Sequence, residues 1–207
     1  MKKLAVVLLG GLSRERKISF LSGKACSKAL KKKGFKVKEL DAKGNFANTL
    51  KKIKPKFVFN ALHGQYGEDG FVQSILESLK IPYTHSGILA SNLAMDKVQS
   101  RILFKKNKIN TPKYFLLQRN HNVNIEKKLS GKNIKYPLVI KPKNEGSSLG
   151  VYICKNKIDF KKNYKKIRNE YDPIVVEEYI PGKEIQVAVM GKKALGAIEL
   201  VPKRKFY

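Results

Sequence analysis

The 207-residue chain has no tryptophan, two cysteines and few acidic residues, with 16 Asp and Glu against 44 Lys and Arg. The two cysteines, Cys26 and Cys154, supply neither a disulfide framework nor a metal cluster, which favours a reducing compartment over secretion. No apolar run approaches the roughly 18 residues that a membrane-spanning helix needs, so a membrane protein of that kind is excluded. What remains is a globular composition, long enough to bury about 70% of the unfolded surface.

The formal net charge of +28 points first to a nucleic-acid or other anionic partner. Only six of the 44 basic residues are arginine, however, and arginine is the residue that reads bases through paired hydrogen bonds. The lysines are spread along the chain and are not gathered in one tract. A lysine-rich, solvated surface produced by AT-rich codon usage therefore competes with a nucleic-acid face. We favour the solvated surface and expect no nucleic-acid partner.

Residues 1–94 alternate between short apolar runs and segments in which apolar residues have helical spacing. The runs predict strands over residues 4–9, 35–40, 56–62 and 81–84. The segments between them predict helices over residues 18–29, 47–53 and 72–79. This order is typical of a parallel sheet with helices on both faces, in which ligands bind beyond the carboxyl ends of the strands.

From about residue 95 onward the pattern changes to an α+β order. Helices are predicted over residues 95–106 and from Phe160 to Tyr171, and the Asn-rich segment 119–135 is expected to be loop with some helix. Strands are predicted over residues 114–117, 136–142, 151–154, 174–178, 185–190 and 194–200. We therefore predict an N-terminal α/β substrate domain over residues 1–94, a central subdomain over 95–180 and the start of a third over 181–207.

A lysine followed by a glycine- and serine-rich loop is the strongest local signal for a ligand. Lys141 ends a predicted strand, and residues 145–150 (Glu-Gly-Ser-Ser-Leu-Gly) follow shortly after it. The N–H groups and hydroxyls of such a loop can surround phosphate oxygens, and the lysine can add a point charge. The loop has neither the Walker A nor the G-x-G-x-x-G pattern, so an ordinary hairpin turn stays equally open.

A second polar loop opens at His63 and contains three glycines by residue 70. This composition, directly after a buried strand, is typical of ligand loops, and the histidine can titrate near neutral pH. The same residues also fit a flexible connection in which Asp69 caps the next helix. When this loop is considered by itself, we favour its interpretation as a flexible connection.

Glutamates near the ends of predicted strands allow a functional and a structural interpretation. Glu15 can bind an ammonium group, or it can be a first-turn carboxylate favoured by the helix dipole. Glu177, Glu178 and Glu184 can accept hydrogen bonds from an adenine amino group and ribose hydroxyls. They can equally be solvated acids around a turn.

Taken together, these segments resemble the D-alanine–D-alanine ligase family of ATP-grasp enzymes. The first part of the resemblance is carried by Gly10-Gly11-x-Ser13-x-Glu15, Asn60-Ala61-Leu62-His63-Gly64 with Gly67-Glu68-Asp69-Gly70, Ile81-Pro82-Tyr83-Thr84 with Ser86-Gly87, and Met95-Asp96-Lys97. The second part is carried by Lys141-Pro142 with Glu145-Gly146-Ser147-Ser148-Leu149-Gly150, and by Glu177-Glu178-Tyr179-Ile180-x-Gly182-x-Glu184. Each motif alone is weak, but their joint order over essentially the whole chain is specific.

The resemblance implies a Rossmann-like pre-ATP-grasp domain followed by an incomplete ATP-grasp domain. It implies a cytoplasmic, homodimeric bacterial ligase that uses ATP to join two D-alanines for peptidoglycan precursors. The carboxylate of one D-alanine is phosphorylated, and the amine of the second attacks the acylphosphate and releases phosphate.

The resemblance also implies a role for each matched residue. The residues that contact ATP phosphates are Lys97, Lys141 and a closing loop that contains Glu145, Gly146, Ser147, Ser148 and Gly150. The residues that hold adenosine are Glu177, Glu178, Ile180 and Glu184. Glu15 and Ser147 are implied to be catalytic. Glu15 is implied to bind the ammonium of the first D-alanine, with Ser147 in the same polar network. His63 is implied to lie by the carboxylate of that D-alanine.

Three departures from the family pattern qualify what the resemblance implies. His85 stands where the family usually has glycine, and Glu178 stands where some members have lysine. The chain ends at Tyr207, where the family's mobile lid begins, so we expect the lid and the Mg²⁺ (or Mn²⁺) ligands in on the order of 100 further residues. We expect no metal ligands within these 207 residues and no dipeptide synthesis by them alone. A non-catalytic nucleotide- or amino-acid-binding module, and a second substrate other than D-alanine, stay open.

Overall fold

The structure, a computed structural model, describes residues 3–119 and 124–201. The chain divides into two compact units. Unit 1 comprises the residues up to Asn110 together with Lys143–Ser147, and unit 2 comprises Thr111–Pro142 and the residues from Ser148 onward. Residues 120–123 of the predicted polar segment, and residues 202–207 of the predicted third domain, lie outside the described residues. The predicted three-part division stays a prediction.

Unit 1 is a parallel sheet covered by helices on both faces, which confirms the predicted fold class. Its strands are β1 (Leu4–Leu9), β2 (Lys36–Asp41) and β3 (Phe57–Asn60), in the order β2-β1-β3. Its helices are α1 (Arg16–Lys32), α2 (Phe46–Ile53), α3 (Phe71–Ser78), α4 (Ile88–Met95) and α5 (Lys97–Lys106). The central strand β1 pairs in parallel with both neighbours and is buried along nearly its whole length.

Alternate residues of β1 face the two layers of the core. Val6 and Leu8 belong to the cluster formed with α2 and α3, whereas Val7 and Leu9 belong to the cluster on the side of α1. Helix α1 lies very close to the strand, because a Cβ atom at Gly23 would lie 2.7 Å from the Cβ atom of Leu9. The sequence carries this signal as small residues at every fourth position, since Ser19, Gly23 and Ser27 are the buried residues of the helix.

We expect Leu8→Ala to lower the free energy of unfolding by about 2–5 kcal/mol, because the Leu8 side chain is fully buried and its removal leaves a cavity. Leu21→Ala is the matched control, since Leu21 is 67% exposed and its loss should change stability by no more than about 0.5 kcal/mol. Urea unfolding of both variants measures the difference. Equal losses in the two variants would contradict the assigned core.

Two sequence predictions for unit 1 are wrong in detail. The strand predicted over residues 81–84 is reduced to one isolated parallel bridge between Val58 and Tyr83. The helix predicted over residues 95–106 is α5, which begins at Lys97 because Asp96 has an extended backbone and accepts hydrogen bonds from the N–H groups of Val98 and Gln99. Helix α4, before this break, was not predicted. It ends where Asp96 starts the next helix as its N-cap.

Unit 2 contains an antiparallel sheet and a separate hairpin, as the predicted α+β order requires. The sheet has the order β4-β7-β5-β6, formed by β4 (Tyr114–Leu117), β5 (Leu138–Pro142), β6 (Tyr152–Cys154) and β7 (Ile174–Glu178). Helices α6 (Ile125–Gly131) and α7 (Lys157–Glu170) contribute Leu129, Phe160 and Ile167 to its core. Strands β8 (Glu184–Met190) and β9 (Lys193–Leu200) pair with each other as a two-stranded sheet.

Candidate active site

A pair of glycines shapes the turn that leaves β1 in unit 1. Gly10 and Gly11 have φ angles of +73° and +75°, in the left-handed region that glycine tolerates best. The Gly10 N–H donates to the buried Ser19 Oγ, 2.9 Å away. After the turn, Ser13 donates from its hydroxyl to the backbone oxygen of His63 at 2.7 Å. The turn therefore links the segments that follow two neighbouring strands, β1 and β3. The sequence predicted a ligand site at this edge of the sheet.

Glu15 follows this turn and has a buried side chain with a hydroxyl partner. Its residue exposure is 6%, and the Ser147 hydroxyl donates a hydrogen bond to its carboxylate. Glu15 occupies the N-cap position of α1 but makes no capping hydrogen bond through its side chain. A Cβ atom at Gly64 would lie 2.3 Å from Glu15 Oε2, so this carboxylate needs a glycine beside it. These contacts do not support the interpretation of Glu15 as a cap.

The ring of His63 lies between a hydroxyl and a carboxylate. Its Nε2 is 2.8 Å from Ser22 Oγ, and its Nδ1 is 3.6 Å from Glu68 Oε1. Glu68 also accepts a hydrogen bond from the Gly64 N–H at 2.8 Å. Sequence reasoning did not identify Ser22, and it identified Glu68 only as part of the loop. The sequence could have indicated Ser22 through its place on α1, because it is a polar residue next to the buried small residues Ser19 and Gly23.

His63 and Glu68 line a chamber of about 610 Å³ within unit 1. Three more of the predicted site residues, Lys97, Glu145 and Gly146, line the same chamber. Lys97 and Glu145 bring charges of both signs to it. Burial raises the pKa of Glu145, and the nearby Arg14 and Lys97 charges oppose that rise. A cavity with both carboxylates and cations suits a zwitterionic ligand, since each end of such a ligand finds a partner of opposite charge.

His85 lines the same chamber and has an unusual backbone conformation. Its φ angle is +78°, in the left-handed region that glycine adopts most easily. This conformation is the physical reason why a glycine suits this position. The ring is held by Thr84, whose Oγ1 is 2.9 Å from His85 Nδ1, and by an edge contact with Phe59 at 5.5 Å. The His85 ring is therefore held in place by Thr84 and Phe59, although its backbone adopts a conformation that is uncommon for histidine.

Lys97 is the first residue of α5, and its ammonium group contacts the start of the glycine-serine loop. Its Nζ donates to the backbone oxygens of Lys143 and Glu145. Beside it, Lys143 Nζ is 2.7 Å from Asp96 Oδ2. Burial by itself would raise the pKa of Asp96, but the hydrogen bonds from Lys143 and from two backbone N–H groups lower it overall. The loop is therefore attached to α5 by both charge and backbone contacts.

The loop's later residues belong to unit 2, and two of them have a left-handed backbone conformation. Ser148 has a φ angle of +58° and Gly150 one of +68°. A Cβ atom at Gly150 would lie 2.9 Å from Pro142 Cγ, which explains the glycine. Strands β5 and β6 pair as a hairpin around this connection, but the connection is far longer than a two-residue turn. Its hairpin position and a ligand role are therefore compatible.

Lys141 and Glu177 form an ion pair within unit 2. Lys141 Nζ is 2.5 Å from Glu177 Oε1, and the two side chains are 21% and 7% exposed. Glu178 accepts a hydrogen bond from the Lys113 N–H at 3.1 Å, which ties it to the start of β4. Ile180 is 59% exposed and Glu184 begins β8. The structure thus brings Lys141 and Glu177 together, while the ligand roles of all five residues stay predictions.

No metal-binding cluster of three His, Cys, Asp or Glu side chains occurs among residues 3–119 and 124–201. In the same part of the chain, no helix is both long enough and apolar enough to cross a membrane.

Two known protein families match separate parts of the chain. Residues 36–86 match the family described as "D-ala D-ala ligase N-terminus", and residues 103–207 match the one described as "D-ala D-ala ligase C-terminus". The chain belongs to the D-alanine–D-alanine ligase family. The predicted family is thereby confirmed, including its N-terminal and ATP-grasp parts.

Relatives in this family cover the whole chain. A D-alanine–D-alanine ligase from Pelagibacter ubique (strain HTCC1062) is 52% identical over 207 residues, which are 100% of this chain and 67% of the relative. One from Wolbachia pipientis wMel is 46% identical over 205 residues, covering 97% of this chain and 62% of the relative. The chain therefore spans about two thirds of the length of these ligases.

A solved structure of the family has the same fold. The D-alanine–D-alanine ligase from Bacillus anthracis complexed with ATP superimposes with a TM-score of 0.85 and 30% identity. The match covers 99% of this chain and 68% of that structure.

Asp41 and Arg16, beside the glycine turn, form a bidentate ion pair. Arg16 Nη2 is 2.5 Å from Asp41 Oδ2, and Arg16 Nη1 is 2.8 Å from Asp41 Oδ1. The hydrogen bond from Arg16 is the largest cause that holds the pKa of Asp41 well below its usual range, with partial burial acting in the opposite direction.

We expect this pair to add stability that is lost only in acid. Because the folded pKa of Asp41 lies below its unfolded value, the contribution is present above about pH 4 and is lost as pH falls further. Asp41→Asn should therefore flatten the dependence of unfolding free energy on pH in that acid range. Urea unfolding at a series of pH values measures the slope, and an unchanged slope in the variant would contradict the depressed pKa.

Proposed function

We propose that this chain supplies the first-substrate and nucleotide-binding residues of an ATP-dependent ligase that joins two D-alanines. In the proposed reaction, a carboxylate oxygen of the first D-alanine attacks the γ-phosphorus of ATP, which gives an acylphosphate and ADP. The amine of the second D-alanine then attacks the acyl carbon and loses a proton, the peptide bond forms, and inorganic phosphate leaves. The protein's task is to position the reactants and to neutralise charge.

The contact between Glu15 and Ser147 is the observation that carries this proposal. A carboxylate that is almost fully buried needs a partner of opposite charge, and a hydroxyl supplies only a hydrogen bond. The ammonium group of a D-amino acid is such a partner. Ser147 would then hold the carboxylate of Glu15 at the angle that receives the ammonium.

His63 is the proposed partner for the carboxylate of the first D-alanine. Its ring is oriented by Ser22 and Glu68, so rotation of the ring is restricted before a ligand binds. A restricted donor loses less entropy on binding than a mobile one. The chamber that His63 lines also has room for more than one small amino acid.

Lys97, Lys141 and the loop residues Glu145, Gly146, Ser147, Ser148 and Gly150 are the proposed phosphate contacts. In the structure, Lys97 donates to two carbonyl oxygens and Lys141 pairs with Glu177. Phosphate oxygens would take over hydrogen bonds of these ammonium groups, which adds charge neutralisation for the transferring group. Glu177, Glu178, Ile180 and Glu184 are the proposed contacts of adenosine.

The divalent metal that the family implies does not fit the described residues. Residues 3–119 and 124–201 contain no cluster of three candidate ligands, so none of their side chains is assigned to Mg²⁺ or Mn²⁺. We further propose a role in the synthesis of peptidoglycan precursors, a cytoplasmic location and a homodimer.

The test has two stages, binding and ligation. Calorimetry on the 207-residue chain should detect binding of ATP. NMR titration should detect binding of D-alanine, with L-alanine as the matched control ligand. For ligation, the chain is fused to the part of the Pelagibacter ubique relative that it does not cover, and D-alanyl-D-alanine is measured with ATP, Mg²⁺ and D-alanine. Binding without ligation by the fusion would favour a non-catalytic module, and absence of D-alanine binding would refute the proposal.

A further inference from the structure

The segment that carries Glu15 begins with two residues of high intrinsic flexibility. Gly10 and Gly11 precede Ser13 and Glu15, and glycine has more backbone freedom than any other residue. A carboxylate that is to receive an ammonium group must be held within a fraction of an ångström. Something in the structure must therefore restrict this turn.

The ion pair between Arg16 and Asp41 holds both backbone polar groups of Gly11, and so contacts the two successive peptide units of the turn that meet at this residue. The Gly11 N–H donates to Asp41 Oδ1 at 3.1 Å, and the Gly11 carbonyl accepts from Arg16 Nη1 at 2.8 Å. Asp41 lies at the end of β2, directly beside Leu9 in the register of the sheet. The turn is thereby tied to a neighbouring strand and to the first residue of α1.

The fit between the turn and the ion pair is tight. A Cβ atom at Gly10 would lie 2.5 Å from Asp41 Oδ1 and 2.8 Å from Arg16 Nη1. The guanidinium of Arg16 also lies over the ring of Phe20, 4.7 Å from its centroid, which limits its own motion. Because Arg16 follows Glu15 directly in the chain, fixing Arg16 also fixes the backbone from which the Glu15 carboxylate extends.

We propose that Arg16 and Asp41 are positioning residues that hold the Glu15 carboxylate in place for the ammonium group of the first D-alanine. This inference rests on the proposed function. Neither residue is assigned a contact with the substrate, and neither lines the chamber that contains His63 and Glu68. They act on Glu15 indirectly, by holding the backbone of Gly11 and the start of α1.

An ordinary surface ion pair is the competing explanation, since both side chains are about one third exposed. Such pairs contribute little to stability and depend on charge more than on geometry. Arg16→Lys separates the two explanations. Lysine keeps the positive charge but cannot bond both carboxylate oxygens and the Gly11 carbonyl in the same plane.

The experiment compares Arg16→Lys and Asp41→Asn in the whole chain with Glu126→Gln, which removes the exposed Lys157–Glu126 pair of unit 2. NMR titration measures D-alanine affinity, calorimetry measures ATP affinity, and ¹⁵N NMR follows the amide signals of Gly11 and Glu15. We expect both test variants to lose D-alanine affinity by up to on the order of 10²-fold, as for a group displaced by about 1 Å. ATP affinity should stay close to wild type, the urea midpoint should fall only by the small contribution of the ion pair itself, and the Glu15 amide should shift.

Wild-type D-alanine affinity in Arg16→Lys, with an unmoved Glu15 amide, would overturn the positioning role. Equal loss of ATP and D-alanine affinity would also overturn it in favour of a general structural role. If the wild-type chain itself fails to bind D-alanine, the proposed function fails. The amide signals of Gly11 and Glu15 then still decide whether the ion pair positions this segment.

Discussion

Glu15→Gln should weaken D-alanine binding by about 10-fold to 100-fold while leaving ATP affinity unchanged. The amide keeps the size of the side chain and can still accept a hydrogen bond, but it removes the negative charge that an ammonium group needs. Hydrogen bonds to charged groups contribute about 1.5–3 kcal/mol, which corresponds to this range of affinity. NMR titration with D-alanine and calorimetry with ATP on the same protein sample measure the two affinities.

Glu39→Gln is the matched control, because it makes the same substitution at an exposed position of β2 in the same unit. It should leave both affinities and the urea midpoint unchanged. If Glu15→Gln instead binds D-alanine normally and only unfolds at lower urea, Glu15 has a structural role. The assignment of the ammonium subsite would then be wrong.

Lys141→Met should have a large effect on both ATP affinity and stability. Loss of the ammonium group removes a charge-assisted contact to phosphate, for which we expect about a 10-fold to 100-fold weaker affinity. It also removes the ion-pair partner of Glu177, which is only 5% exposed. Breaking a buried pair costs about 3–5 kcal/mol, and we expect the low end because Lys141 is itself 21% exposed.

The double variant Lys141→Met/Glu177→Gln separates the two effects. Removing the carboxylate charge should restore much of the unfolding free energy, because the buried carboxylate that lost its ion pair with Lys141 is then neutral, but it should not restore ATP affinity. Lys155→Met, at an exposed position of unit 2, is the control for loss of a lysine. Recovery of ATP affinity in the double variant would show that Lys141 acts through Glu177 and not on the nucleotide.

Local patterns in the sequence were sufficient for most of the fold. The apolar run of β1 and the helical spacing after it define elements through contacts between residues close in sequence, so periodicity finds them. Residues 81–84 show the limit of this reasoning. Their apolar residues pack against the core of unit 1, since Ile81 is buried there, but only Tyr83 forms a bridge to β3. Burial and strand pairing give the same sequence signal.

The break at Asp96 shows a second limit. The residues from 95 to 106 continue one helical pattern, and an aspartate inside it carries only a weak signal against helix. What stops α4 and starts α5 is the capping of two N–H groups by Asp96, together with its ion pair to Lys143, 47 positions along the chain. A partner at that distance is invisible to local spacing.

The sequence by itself determined the family, the parallel sheet of unit 1 and the candidate residues at the strand ends, because motif order and periodicity are properties of the chain. Only the tertiary structure decided which of these residues meet. Ser147 donates to Glu15 across 132 positions, Ser22 contacts His63 across 41, and Arg16 pairs with Asp41 across 25. Such contacts form between residues brought together by the folding of strands and helices, and no periodic pattern records them.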